Sequence, residues 1–434
     1  MRYPAEMFDQ MQFFFQEYND HQLHGAIYFA GRLDRECLKK AVSLSMDLVP
    51  ILRSRYVESA WHPFWESMRA GHDDDVVACV DTDCIKEEID RFLTGKTDEF
   101  RGPQLMVRIV GGPDRDALCI VMNHMVCDGA GFKEYLYLLS SLYTNLRRDP
   151  DYRPSDAPGG SRSINQVYRQ LRLRDRLKLL FTRKDVTRHD SGLAFPLSGI
   201  GDKSPFIATH KLLRSRFQVL KEYGKKYGVT INDIVLAAYL RALSRVMEIP
   251  PGKRIIMPCA IDLRRFITGG KAEAICNLTS TIICDIGAEI GYSFDDTVIR
   301  VKQDMDVKKG GFGGLNGLVF LDILFKLVPY TKVKPLFKEK FINPVLFITN
   351  IGVIDKSRLA FDNLPVLDAF VTGSIKYPPY FQLALTSFDE AITFSINLYG
   401  TASDREQTEN FLRILDDELQ NNAIDNGVRG DVSK

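Results

Sequence analysis

Apolar positions along this chain of 434 residues switch between two periods. Alternating or continuous apolar runs predict strands, and apolar residues three and four apart predict helices. Residues 23–31, LHGAIYFAG, read as a strand. Asp34 is placed to cap the helix that follows, with Leu38, Ala41, Val42, Leu48 and Val49 on its buried face, and Pro50 stops it. Residues 51–57 look extended, and 85–93 form a second helix with Ile85, Ile89, Phe92 and Leu93 on one side. Residues 105–110 and 117–122 read as strands joined by the turn-rich GGPDRD. A long helix follows, ending at Arg147, with Phe132, Tyr135, Leu136, Leu139, Leu142, Tyr143 and Leu146 at helical spacing.

The second half repeats this α/β character without a fixed-period repeat. Strands are expected at 206–213, 254–260, 278–286 and 344–349, and 380–386 and 391–398 form a hairpin around SFDE. Helices are expected at 215–227, ended by Gly228, and at 234–246, opened by a capping box from Thr230 to Asp233. Ser403 and Glu406 are expected to cap a last helix that buries Phe411, Leu412, Leu415 and Leu419. The glycine-rich stretch 308–317 matches neither a dinucleotide fingerprint nor a phosphate loop and reads as a mobile loop.

Between the halves, 150–160 is rich in Pro, Asp and Gly and reads as a linker. Residues 164–188 then read as a basic amphipathic helix. Arg169, Arg172, Arg174, Arg176, Lys178, Arg183 and Lys184, with Arg162 just before them, interleave with Ile164, Val167, Leu171, Leu177 and Leu180. The plain reading is a solvated crossover; the sharper ones are a dock for a carrier protein, for the phosphates of a coenzyme, or for a membrane surface. The domain division expected is 1–160, a crossover over 161–205, and 206–434, since this length exceeds what one core usually supports.

Composition narrows the function classes. The apolar fraction is 45% and the charged fraction 26%, both ordinary for a globular chain. A net charge of +1 argues against a nucleic-acid binder working by bulk electrostatics. No apolar run reaches the ~20 residues of a membrane span, and no signal-peptide core is present, so an integral membrane protein is not expected. Eight scattered cysteines without a C-x-x-C pair suit a reduced, cytoplasmic chain and no zinc site.

Candidate chemistry concentrates at one corner, LCIVMNHMVCDGAGF, residues 118–132. The apolar strand ends at Asn123 and His124, Gly129 and Gly131 mark a turn, and the helix begins. Loop side chains on such a scaffold are held in place for chemistry. A histidine suits general-base work because its ordinary pKa lies near the operating pH. Asp128 is equally suited to cap the helix.

Six segments, in order, resemble the chloramphenicol acetyltransferase superfamily, which includes condensation domains, BAHD acyltransferases and alcohol acyltransferases. YPAEMFDQMQFFF resembles its opening segment. LDRECLKKAVSLSMDLVPILRSRY resembles its first helix and the strand after it. NHMVCDG matches the H-x-x-x-D-G site. GVTINDIVLAAYLRAL, MPCAIDLRR and FITNIGVI resemble three second-half elements. Two departures stand out: Asn123 replaces the first histidine of the condensation-domain pair, and the plant-type DFGWG segment is absent.

The resemblance implies two similar α/β sandwich domains forming a V, with a tunnel at the seam. It implies a stand-alone acyltransferase that moves an acyl group from acyl-CoA to an alcohol or amine by direct transfer. His124 is then the base and the Gly129 N–H a donor near the intermediate. Asp128 would turn away from His124 and pair with Arg264, a fork able to make two parallel hydrogen bonds, with Asn123 supporting the site. Thr349 and Asn350 would line the intermediate or hold the domains together. Arg172, Arg174, Arg176 and Lys178 are candidates for donor binding. No metal, no permanently bound cofactor and no cysteine nucleophile is needed, and a monomer is expected. A condensation-type protein taking its acyl group from a carrier phosphopantetheine, and a binding or scaffold member without catalysis, are the alternatives.

Overall fold

The computed structural model describes residues 1–68, 76–154, 160–182 and 192–423. The first half contains β1 (Arg2–Pro4), α1 (Met7–Phe14), β2 (Gln22–Phe29), α2 (Arg35–Leu48), β3 (Ser54–Val57), β4 (Phe64–Ser67), β5 (Val77–Asp81), α3 (Ile85–Leu93), β6 (Leu105–Gly111), β7 (Asp116–Asn123) and α4 (Gly129–Arg148). Two short helices follow, α5 (Asn165–Tyr168) and α6 (Leu173–Phe181). The second half runs β8 (Ser204–Leu212), α7 (Arg214–Tyr227), α8 (Ile231–Val246), β9 (Met257–Asp262), β10 (Thr279–Cys284), α9 (Phe294–Lys309), α10 (Leu318–Leu327), α11 (Tyr330–Lys340), β11 (Leu346–Ile354), β12 (Val366–Thr372), β13 (Phe381–Phe388), β14 (Ala391–Gly400) and α12 (Ala402–Ala423).

The mixed α/β, two-lobed architecture expected from the sequence is present. One lobe is built on a five-stranded sheet of order β12-β2-β7-β6-β5, the other on a six-stranded sheet of order β10-β9-β11-β13-β14-β8. A small sheet, β1-β4-β3, flanks the first. Strands β2 and β7 are buried on both faces because both faces are covered, and every residue of β7 is buried.

The first lobe is not made from the first half alone. β12 pairs antiparallel with β2, Phe370 opposite Ala26 and Val371 opposite Gly25. Leu318, Phe325, Tyr330, Val333 and Phe337 of α10 and α11 share a core with Phe13, Phe14 and Tyr56. A boundary drawn at residue 206 therefore separates the chain but not the packing.

Other differences have local causes. The expected helix over 164–188 is two short helices, and residues 183–188 lie outside the described residues. Its apolar residues do not form one stripe: Val167, Tyr168 and Leu179 are buried, whereas Leu173 is 72% exposed. The chain packs at two points and bends between them. The last helix begins one residue before Ser403. Its cap is Thr401, whose hydroxyl accepts from Asp404 N at 3.2 Å while Asp404 Oδ2 accepts from Thr401 N at 2.9 Å. The expected strand over 254–260 starts only at Met257, past the Pro250–Pro251–Gly252 turn, and 51–57 opens with a 3₁₀ turn over Pro50–Arg53. The Gly-rich loop loses Lys308 and Lys309 to α9.

Candidate active site

β7 delivers the chain to the corner and α4 takes it away. Asn123 ends the strand fully buried, and its Oδ1 accepts from Met125 N at 2.9 Å, which tightens the turn that presents His124. His124 N donates to the His21 carbonyl at 2.8 Å. His21 itself holds φ of 44°, a left-handed conformation that a non-glycine residue adopts only when its surroundings demand it. The His21 ring meets Glu99 Oε2 at 3.2 Å.

Three side chains from later in the chain grip the turn. Asn277 Nδ2 donates to the carbonyls of His124 and Met125, at 2.9 and 3.1 Å. Arg162 donates to the carbonyls of Val126 (2.9 Å) and Met125 (3.3 Å) while forming a two-bond pair with buried Asp9. Arg264 holds Asp128.

Asp128 is 1% exposed and caps α4 through Gly131 N at 2.9 Å. Its other oxygen accepts from Leu278 N (2.7 Å), Thr279 Oγ1 (2.9 Å) and Arg264 Nη1 (2.9 Å). Burial by itself raises a carboxyl pKa, but Arg264 and these donors outweigh it and hold Asp128 below the usual range. Arg264 does not offer its fork to one carboxylate. Nη1 is shared between Asp128 and Asp262, and Nη2 donates to the Cys276 carbonyl at 2.8 Å. The guanidinium thus ties together α4, β9 and the approach to β10. No hydrogen bond joins Asp128 to His124 among the described residues.

His124 faces a cavity of about 600 Å³ between the lobes. Its walls are largely apolar, with Phe8, Phe15, Phe325, Phe337, Phe341 and Phe347 among them, and α10 and α11 supply one side. Exposed apolar side chains reach the rim: Phe320, Leu336 and Ile342 line the cavity and are 57%, 39% and 47% exposed, with the exposed Lys340 among them. Burial disfavours the imidazolium and pulls His124 down to about 4, against the opposing pull of its own backbone and of Asp128. The ring is therefore neutral at physiological pH, the form that accepts a proton.

Gly129 opens α4 on the cavity wall, where the first N–H groups of a helix have no intrahelical acceptor. A Cβ at Gly129 would sit 2.9 Å from Ile351 Cγ2, so the glycine lets β11 close against the corner. Thr349 lines the cavity. Asn350 does not: it is exposed, accepts from Gly352 N at 2.8 Å and reaches Asn232 at 3.3 Å. Arg172, Arg174, Arg176 and Lys178 are not among the residues lining the cavity. Arg176 donates to the Leu171 carbonyl, and Arg172, Arg174 and Lys178 lie exposed on or beside α6. Burial pushes the Cys127 thiol well up, which suits a packing role.

Arg162, Asn277, Asp9 and the cavity-lining Lys376 escaped the sequence reading. Arg162 stood at the head of a basic run that disguised it, and the other three carry no local motif. Helices α10 and α11 were missed as well, although LVFLDILFKL of α10 is apolar at helical spacing; α11 carries Pro335 in its interior.

No family model matches the sequence, and no curated protein matches it. Solved structures match the fold along nearly the whole chain. The first condensation domain of the CDA synthetase is 16% identical, covering 98% of this chain and 97% of that one, with a TM-score of 0.67. A trichothecene 15-O-acetyltransferase from Fusarium sporotrichioides is 12% identical over 96% of this chain and 95% of its own, also at 0.67. The epimerization domain from the third module of tyrocidine synthetase B is 13% identical over 96% and 97%, at 0.64. At these identities the likeness is one of fold.

Proposed function

We propose, from the premise that the chain has the condensation-domain fold of the chloramphenicol acetyltransferase-like superfamily, that it is an acyltransferase. In this reading the acyl group passes directly from a thioester, with acyl-CoA the donor, to an alcohol or amine acceptor. The observation that carries it is His124: a neutral imidazole facing an apolar cavity at the seam, on a turn held from three sides, with its neighbouring carboxylate engaged elsewhere.

The chemistry follows from that arrangement. Transfer needs a base for the acceptor proton, and His124 is unprotonated and faces the cavity. As the acceptor oxygen or nitrogen attacks the thioester carbonyl, its proton passes to the imidazole. The tetrahedral oxyanion needs a donor, and the Gly129 N–H at the start of α4 is the candidate. Collapse expels the thiolate, which recovers the proton from His124. The apolar walls exclude water, which would otherwise hydrolyse the donor. Asp128 acts on the position of the turn and not on the proton.

The test is a thiol-release assay on purified protein, with a ladder of acyl-CoAs and a panel of alcohols and amines. Acceptor-dependent release is expected, with His124→Ala folded and slower by ~10²–10⁴-fold. Release unchanged in His124→Ala would remove the base assignment. Release with none of the acyl-CoAs, but with a carrier-bound donor, would favour the condensation-type reading. Tight binding of thioester or acceptor without release under any donor would make the chain a binding member of the fold.

A further inference from the structure

Lys376 is a charged side chain on the cavity wall that the transfer reaction does not use. Its backbone is clamped, N donating to the Asn397 carbonyl and O accepting from Tyr399 N, both at 2.9 Å. Its ammonium has no hydrogen-bond or ion-pair partner among the described residues.

Asp20 is the carboxylate whose charge acts on Lys376, and its buried Oδ2 has no hydrogen-bond partner among the described residues, yet no ion pair joins the two. Asp20 Oδ1 accepts from Gln22 N (3.1 Å) and Ile375 N (2.9 Å), and Oδ2 lies 3.6 Å from His24 Nε2. His124 faces the same cavity and feels the Lys376 charge. Burial pulls the ammonium down to about 8, with Asp20 opposing, so it remains mostly protonated at neutral pH.

A second donor lines the same cavity. Gln382 of β13 lines the cavity, and its side-chain amide has no hydrogen-bond partner among the described residues. It lies against Gly373, where a Cβ would come within 3.0 Å of Gln382 Nε2, so the glycine leaves room for the amide. The Ser374 hydroxyl is taken by the Gln22 carbonyl at 2.8 Å.

A cation and an amide donor without partners, in a cavity whose walls are largely apolar, are costly unless a ligand completes them. We propose that Lys376 and Gln382 form a carboxylate subsite, and that the acceptor is a hydroxy or amino acid held by its carboxylate while its nucleophile reaches His124. This rests on the acyl-transfer reading of the cavity and names the acceptor class within it.

Calorimetric titration without any acyl donor tests the subsite apart from turnover. The probes are ω-hydroxy acids of graded chain length, each beside its methyl ester. At about pH 7 the acids should bind at least about tenfold tighter than their esters. Lys376→Met should bring the acids to the level of the esters, leaving ester binding unchanged, and Gln382→Leu should weaken the acids alone. In the parent protein, raising the pH to about 10 should erase the preference as the ammonium deprotonates. Esters bound as tightly as acids, or a preference that survives Lys376→Met, overturns the subsite while leaving acyl transfer intact. Binding of neither probe series, with thiol release absent too, overturns both. Circular dichroism establishes folding, and if Lys376→Met does not fold, the pH series on the parent decides.

Discussion

Removing Asp128 tests whether the motif's carboxylate is scaffold or catalyst. In the structure, Asp128→Ala leaves the Arg264 guanidinium with only half-exposed Asp262 for charge, and it strips the acceptor from Gly131 N, Leu278 N and Thr279 Oγ1. Breaking a buried ion pair from one side costs about 3–5 kcal/mol. Each buried donor left without an acceptor adds about 1–3 kcal/mol where water cannot replace it. Asp128→Ala should therefore cost more than Arg264→Ala, which leaves Asp128 three of its four partners. With an unfolding entropy of roughly 2 cal/mol/K per residue, a loss of about 4 kcal/mol moves the midpoint of a cooperative melt of this size by about 4 °C. The double variant should cost clearly less than the two single losses together, because the second substitution removes a group the first has already stranded. Thermal melts of the three variants beside His124→Ala, with thiol-release rates, provide the measurement. Additive losses, or unchanged melting with activity as low as in His124→Ala, would refute the scaffold argument and make Asp128 a partner of the imidazole. Acid supplies a further check. Asp128 is held below its unfolded value, so its stabilisation is present above about pH 4 and fades as pH falls through the depressed value. Asp128→Asn should trail the parent at neutral pH and approach it in acid.

His124, held down at about 4 in the free protein, should give an acid limb of kcat/KM near that value, and a limb at about 6.5 would mean the imidazole is not desolvated as the structure has it. The same depression destabilises the fold as pH drops from the unfolded histidine value toward about 4, since only the unfolded chain takes up the proton. His124→Gln should melt later than the parent relative to neutral pH in that window. Gly129→Ala brings a Cβ against Ile351 and should cost about 1–3 kcal/mol, with thiol release reduced. Ile351→Ala in the same chain should restore part of both, and no restoration would place the strain elsewhere.

Much of the fold was legible because its evidence is local. Asp34, Thr230 and Asp128 cap the helices they precede, Gly228 ends α7 at φ of 64°, and apolar runs mark β7, β11, β13 and β14. Each depends on residues within a few positions of one another, so period and punctuation reveal it. The H-x-x-x-D-G corner belongs to the same class. What tertiary structure alone decided are relations between distant residues. The order of strands placed β12 beside β2, and the packing of α10 and α11 on the first lobe made the cavity. Arg162 and Asn277 reached the His124 turn from 36 and 153 positions away. Lys376 and Gln382 line one cavity only because the segment between β12 and β13 and β13 itself both face it. A sequence shows which side chains can donate, accept or carry charge. Which of them are left without a partner, and beside what, depends on burial and on the elements that close around them.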